Sequence, residues 1–292
     1  MNLDFLYEKT AAFASETGLE RVYPDLKTFL EPAIAFRLMK VETGQSLNTK
    51  SHLGGKPDLP AGFQWPDHVG RPLDFLIQVN CAEIAGFEPQ SWLPKAGLLS
   101  FFYDLEEQPW GSDPEDLTGF RVVYFKNISE LDSHELPDQC KPIPNWALQF
   151  SPCLTAPSPW SRVYEKLQSQ IAFTPEEEDI YFNFIEALDS IAYPKGGQHR
   201  LLGHSANIQG DMQLEAQLVT HGINCGDPEG YRSPKARQLE AGAEDWRLLL
   251  QLDSDRQALF TWGDAGMLYF WMRAEDLQSR SFDRAWMELQ CN

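Results

Sequence analysis

Residues 75–80 read Phe75-Leu76-Ile77-Gln78-Val79-Asn80, and residues 248–253 read Leu248-Leu249-Leu250-Gln251-Leu252-Asp253. Each run is followed by an Ala-Gly that opens an aromatic segment. The first is Ala96-Gly97-Leu98-Leu99-Ser100-Phe101-Phe102-Tyr103, the second Ala265-Gly266-Met267-Leu268-Tyr269-Phe270-Trp271-Met272. Two ordered matches in one register point to a repeated unit. A unit of about 140 residues fits the usual domain size. The expectation is therefore two halves, residues 1–150 with an N-terminal helix and residues 151–292, packed as one globular unit.

Punctuation along the chain supplies the elements. Leu3, Leu6 and Phe13 have helical spacing, and Gly18 stops the helix at a C′ position. Strands are expected at 33–38, 74–80, 97–104 and 120–126. The segment Ser51–Pro66 carries Pro57, Pro60 and Pro66, which remove backbone donors, so it reads as a fixed loop. Between residues 137 and 160 six prolines frame Trp146, Leu148 and Phe150, which reads as a strand between turns.

In the second half, Ser158-Pro159, Thr174-Pro175-Glu176-Glu177 and Ser233-Pro234 are helix starts. Ile180, Phe184, Leu188 and Ile191 form one stripe on the helix that Thr174 opens. Strands follow at 246–252, 258–262, 267–273 and 285–290, with a helical turn at 275–277. Strands and helices do not alternate, and several connections have hairpin length. The fold class is α+β: internally duplicated, two similar and mostly antiparallel sheet units with flanking helices.

These stretches resemble the YwqG-like family of uncharacterised bacterial proteins. The likeness rests on Gly54-Gly55-Lys56-Pro57 with Leu59-Pro60, Leu76–Asn80 and Gly97–Phe102. In the second half it rests on Leu249–Asp255, Trp262-Gly263-Asp264-Ala265-Gly266 and Glu275-Asp276-Leu277. The resemblance implies a duplicated α+β fold and no established activity.

Charge narrows the partners. Twenty-four basic residues against 43 acidic ones give a net charge of −19, a field that repels nucleic-acid phosphates and anionic lipid. It suits a basic partner. Five scattered cysteines without a Cys-x-x-Cys pair are neither a disulfide framework nor a zinc ribbon. The N-terminus has no basic segment followed by an apolar one, and no apolar run reaches about 20 residues, so the expected location is cytoplasmic. Oligomeric state leaves no trace in the sequence.

Gln78 and Asn80 share one face of their strand, as do Gln251 and Asp253, because alternate strand residues point the same way. Buried, such groups need hydrogen-bond partners; they line a cleft or fix register. The glutamines are expected to be buried and bonded.

Asp253, Asp255 and Asp264 collect carboxylates near strand ends. Oxygen ligands of this kind suit Ca²⁺ or Mg²⁺, yet Asp and Gly are ordinary turn residues and no calcium-loop pattern is present. The expectation is a turn and no cofactor. His199, His204, His221 and Cys225 match no compact zinc spacing, and nothing marks Cys225 as a reactive thiol. Gly54-Gly55-Lys56 lacks the phosphate-loop frame. Trp65, Trp110 and Trp262 lie in turn-rich contexts and are interface candidates.

The functional expectation is a protein-binding module recognising a basic protein, with Gln78, Asn80, Gln251, Asp253, Asp255, Trp262, Asp264 and His204 as binding residues. The alternative is a hydrolase or other enzyme with an acidic site between the halves, built from Asp253, Asp255, Asp264 and His204.

Overall fold

A computed structural model describes residues 3–42, 44–87, 90–194 and 197–292. Ten strands form one sheet in which every pairing is antiparallel. In chain order they are β1 (Glu31–Lys40), β2 (His52–Leu53), β3 (Asp74–Asn80), β4 (Leu98–Tyr103) and β5 (Phe120–Phe125). They continue with β6 (Trp146–Thr155), β7 (Arg200–Leu201), β8 (Trp246–Asp253), β9 (Met267–Arg273) and β10 (Trp286–Gln290). The spatial order is β10-β9-β8-β7-β1-β6-β2-β3-β4-β5.

That order places the long pair β1 and β6 at the centre, with a two-residue strand on each side. Beyond each short strand come three strands connected in sequence. β1 sits beside β7 from the second half of the chain, and β6 sits beside β2 from the first. Both β3 and β8 carry a register shift, between Phe75 and Ile77 and between Leu248 and Leu250. Such bulges add local twist.

The sheet curls until its ends approach each other, nearly closing a barrel. Phe101 of β4 meets Phe270 of β9 at 5.1 Å between ring centroids, and Phe120 of β5 meets Trp286 of β10 at 5.4 Å. These edge-to-face pairs sit in the main apolar core, which runs through β3, β4, β8, β9 and β10. The outer edge of β10 is capped by the 110–111 segment: Leu289 N donates to the Trp110 carbonyl, and Trp286 Nε1 to the Gly111 carbonyl. An edge covered in this way offers no template for another strand.

Helices α1 (Leu3–Thr17), α2 (Arg162–Gln170) and α3 (Pro175–Ala192) share a second core, built around Leu6, Tyr164, Leu167, Tyr181 and Phe184. Gly18, at φ +92°, ends α1 at the expected place. Thr174 and Glu177 form the expected capping box at the start of α3. α4 (Met212–Val219), α5 (Pro228–Arg232) and α6 (Pro234–Leu239) follow. Asp211 caps α4 and Ser233 caps α6.

Four expectations are corrected. Ser161, not Ser158, caps α2, its hydroxyl accepting from Tyr164 N while the Ser158 carbonyl accepts from it. Ile191 is 41% exposed, and Tyr181 rather than Ile180 is fully buried on α3, so the buried stripe is rotated by one position. Residues 258–262 make only an isolated bridge between Asp255 and Phe260. The Ser51–Pro66 loop contributes β2 to the sheet, and Asp58–Pro60 pairs with Leu131–Ser133. Pro60 is tolerated in the second of these because a two-stranded ladder leaves one side of each strand unpaired.

Candidate functional site

The strand glutamines are spent on the fold. Gln78 is fully buried and sits opposite His52. Its Oε1 accepts from Asp58 N at 2.9 Å, and its Nε2 donates to the Lys50 carbonyl at 2.9 Å and to Asp58 Oδ2. Gln251 is also fully buried and sits opposite Arg200. Its Oε1 accepts from Ala206 N at 2.9 Å, and its Nε2 donates to the Gln198 carbonyl at 2.8 Å. Each amide clamps the two ends of the loop that carries the short strand. Each loop turns through two residues of positive φ, Gly54 and Gly55 in one, Leu202 and Gly203 in the other.

The neighbouring polar residues act in the same loops. Asn80 Oδ1 accepts from Ala82 N, capping the short helix Cys81–Ile84, and Nδ2 donates to the Thr49 carbonyl at 2.7 Å. Asp253 Oδ2 accepts from Gln198 N at 2.9 Å, and Asp253 N donates to His199 Nδ1. Asp255 Oδ1 accepts from Gln257 N and Ala258 N, and Oδ2 faces His199 Nε2 at 3.4 Å. The hydrogen bond from His199 holds the Asp255 carboxyl below the usual range despite its partial burial. Asp255 is thus a turn acceptor, and Asp253 ties the segment before β7 to the end of β8. Asp264 is exposed on its own turn. Among the described residues no three His, Cys, Asp or Glu side chains are arranged to hold a metal.

Trp262 is no surface residue. It is fully buried, 4.8 Å from the Phe260 ring and 5.7 Å from Tyr103. Two aromatic neighbours outweigh the turn it stands in. His204 Nε2 is bonded to the Phe29 carbonyl at 2.7 Å, and its backbone N donates to Thr155 Oγ1. It borders a cleft of about 810 Å³ between α2 and the α6 region, where four cations, Arg162, Lys166, Arg237 and Arg247, face four glutamates. Of the eight sequence-picked residues, it alone lines one of the larger clefts.

A different cleft, of about 660 Å³, has the more unusual chemistry. The 110–112 segment forms one wall, α4 and Cys225 the other, and β10 the floor. Asp211, Glu215 and Glu288 line it, and among the described residues no lysine, arginine or histidine does. Glu288 is 1% exposed, and neither carboxylate oxygen has a hydrogen-bond partner of good geometry. Burial raises its pKa well above the ordinary 4.5, and the charges of Glu215 and Asp211 push it further; the Ala216 amide offsets this in part.

Glu215 is raised as well, by burial first, although Tyr231 donates to its Oε2 at 2.7 Å. Beside them the Cys225 thiol is pushed up to about 12, chiefly by burial, which makes it inert. Trp110, 47% exposed, stands at the rim.

The cleft exists because residues far apart converge: Cys225 N donates to the Ser112 carbonyl at 2.7 Å, joining the two walls. Sequence reading picked Trp110 as an interface candidate and missed Glu215 and Glu288. The available signal was Glu288 itself, the one charge in the strand Trp286-Met287-Glu288-Leu289-Gln290.

An antiparallel sheet curled on itself, with packed helices and an acidic cleft in which Glu288 has no counter-charge, defines an α+β protein with a candidate cation site. The chain belongs to the family described as Domain of unknown function (DUF1963), whose model matches residues 51–291. No curated protein matches the chain.

Proposed function

We infer that the protein is a binding module for a basic protein partner and that the Glu215–Glu288 cleft receives a cationic side chain of that partner. The observation that carries this reading is the cleft's composition: three carboxylates and, among the described residues, no cation in its lining, with Asp211 paired to Arg162 outside it but Glu288 buried without a hydrogen-bond partner of good geometry. A buried carboxylate without a counter-charge is costly, and an incoming ammonium or guanidinium group supplies the missing charge. The net charge of −19 steers such a partner from a distance and disfavours nucleic acid. No described helix is long and apolar enough to cross a membrane, and a cytoplasmic setting is part of this reading.

The test is calorimetric titration of the protein with an octa-arginine peptide at low and moderate salt. Saturable binding that weakens with salt and is reduced tenfold or more in Glu215→Gln supports the reading. Binding unchanged in that variant would move the site elsewhere on the acidic surface.

A second reading keeps the enzyme alternative but changes its residues. Asp253 and Asp255 are engaged in hydrogen bonds that hold the fold, whereas Glu288 and Glu215 place two carboxyls, both raised by burial, in one cleft. That is the pairing acid–base hydrolysis uses. Turnover of a chromogenic substrate abolished by Glu288→Gln would favour it.

We also infer an internal duplication, with units corresponding to residues 1–150 and 151–292 and a kinship to the YwqG-like proteins. The matched loop clamps of Gln78 and Gln251 and the order of strands support it. In this reading β1 of the first unit lies beside β7 of the second, and β6, which spans the boundary, lies beside β2 of the first. Two fragments divided near residue 140 should then assemble only when co-expressed; independent folding of either fragment would count against it.

A further inference from the structure

We propose that Glu288 carries a proton in the empty cleft and gives it up to solvent when the cationic head group of a ligand enters, so that one positive charge replaces another. This deepens the binding reading and rests on it. The step is simple to balance. The carboxyl O–H bond breaks, the proton leaves to water, and the resulting carboxylate forms an ion pair with the ligand; nothing is oxidised or reduced.

The geometry supplies the reason. Glu288 points from β10 toward α4, near the Ala216 amide, withdrawn from water and with neither oxygen in a hydrogen bond of good geometry. Every titratable group that meets it is acidic or neutral. From α4 come Asp211 and Glu215, and from the 223–226 loop comes Cys225. Tyr231 approaches from α5, and Tyr269 lies directly across on β9. The cations that border these groups are occupied: Arg162 is paired with Asp211 at 2.8 Å, and Arg232, next to Tyr231, with Glu229 at 3.2 Å. No protein cation is in place to hold Glu288 ionised, so the neutral form is favoured.

Both oxygens of one carboxylate, free and coplanar, match the fork of a guanidinium group. Guanidinium is also weakly hydrated, which eases its entry into a buried site. Trp110 lines the same cleft, and an aromatic ring there adds attraction for a cation that reaches its face.

Calorimetry with butylguanidinium chloride as the probe tests this, run at pH 7 in phosphate and in Tris, whose ionisation heats differ. The expected result is about one proton released per probe bound, with affinity rising up to about tenfold per pH unit. Glu288→Gln should bind without proton release and with a flat pH profile. Circular dichroism of the variant checks that it folds, and Glu215→Gln, which should still release the proton, serves as the second variant. Wild-type binding without proton release overturns the exchange and leaves the binding reading standing. Proton release lost in Glu215→Gln but kept in Glu288→Gln overturns the assignment to Glu288. No binding of the probe by the wild type overturns the cleft reading itself.

Discussion

Gln78 and Gln251 lie on opposite flanks of the sheet and make the same two backbone bonds. Each faces the first residue of a two-residue strand, His52 or Arg200. Each accepts from the amide six residues beyond it, Asp58 or Ala206, and donates to the carbonyl two residues before it, Lys50 or Gln198. A primary amide suits this work because it offers a donor and an acceptor on one rigid plane, with no charge to desolvate.

Replacing either glutamine by leucine should therefore cost stability by similar amounts. Each substitution strands a buried backbone N–H and a carbonyl, for about 1–3 kcal/mol. Urea unfolding of Gln78→Leu and Gln251→Leu would measure it. A neutral result at either site would mean that water replaces the clamp.

The turn inside the first loop is equally constrained. Gly54 has φ +66°, and a Cβ there would lie 2.3 Å from the Pro144 carbonyl oxygen. Gly54→Ala should destabilise by about 1–3 kcal/mol through backbone strain and overlap. Leu202 at the matching position of the other loop holds φ +63° with its side chain buried in the main core; Leu202→Gly should relax the backbone but cost at least as much through the cavity it leaves. Thermal unfolding of the pair would compare the two.

Stability should depend on pH in opposite senses at two carboxyls. Glu288 has a folded pKa above its unfolded 4.5, so between those values the native state holds a proton that the unfolded chain has lost. Its contribution is present below pH 4.5 and is lost as pH rises. Glu288→Gln should match the wild type near pH 4 and be progressively more stable above it. Asp255 has a lowered folded pKa, so its contribution is present above 3.8 and is lost as pH falls through the folded value. Asp255→Asn should cost stability at neutral pH and little in strong acid. Denaturant curves from pH 3 to 8 would show both trends; parallel wild-type and Glu288→Gln profiles would contradict the first.

All five cysteines are buried and unpaired, and burial pushes the Cys81, Cys140 and Cys225 thiols up to about 12. Native protein should react with a thiol reagent only as fast as it opens, with all five sites appearing together in denaturant. A rapid native-state reaction at Cys225 would show that the acidic cleft admits reagents to its wall.

The local patterns carried much of the architecture. Apolar runs and aromatic alternation placed β3, β4, β8, β9 and β10, Gly18 ended α1, and Thr174 with Glu177 opened α3. These signals are legible because they depend on neighbours a few residues apart. The burial of Gln78 and Gln251 followed from a polar residue set in an apolar strand.

Other features depended on what lay across the molecule. Trp262 is buried because Phe260 and Tyr103 meet it, and the second oxygen of Asp255 is engaged because His199, 56 residues away in the chain, comes alongside. The interleaving of β1 and β6 is a matter of long-range pairing, which strand propensity does not encode. The acidic cleft was least legible of all. Trp110, Glu215 and Glu288 come from three distant segments, and only the curl of the sheet and the bond from Cys225 to Ser112 bring them together. Sequence determined which segments became strands and helices, since that is local chemistry. The tertiary structure decided which charges lost their solvent, because burial is a property of everything packed around a group.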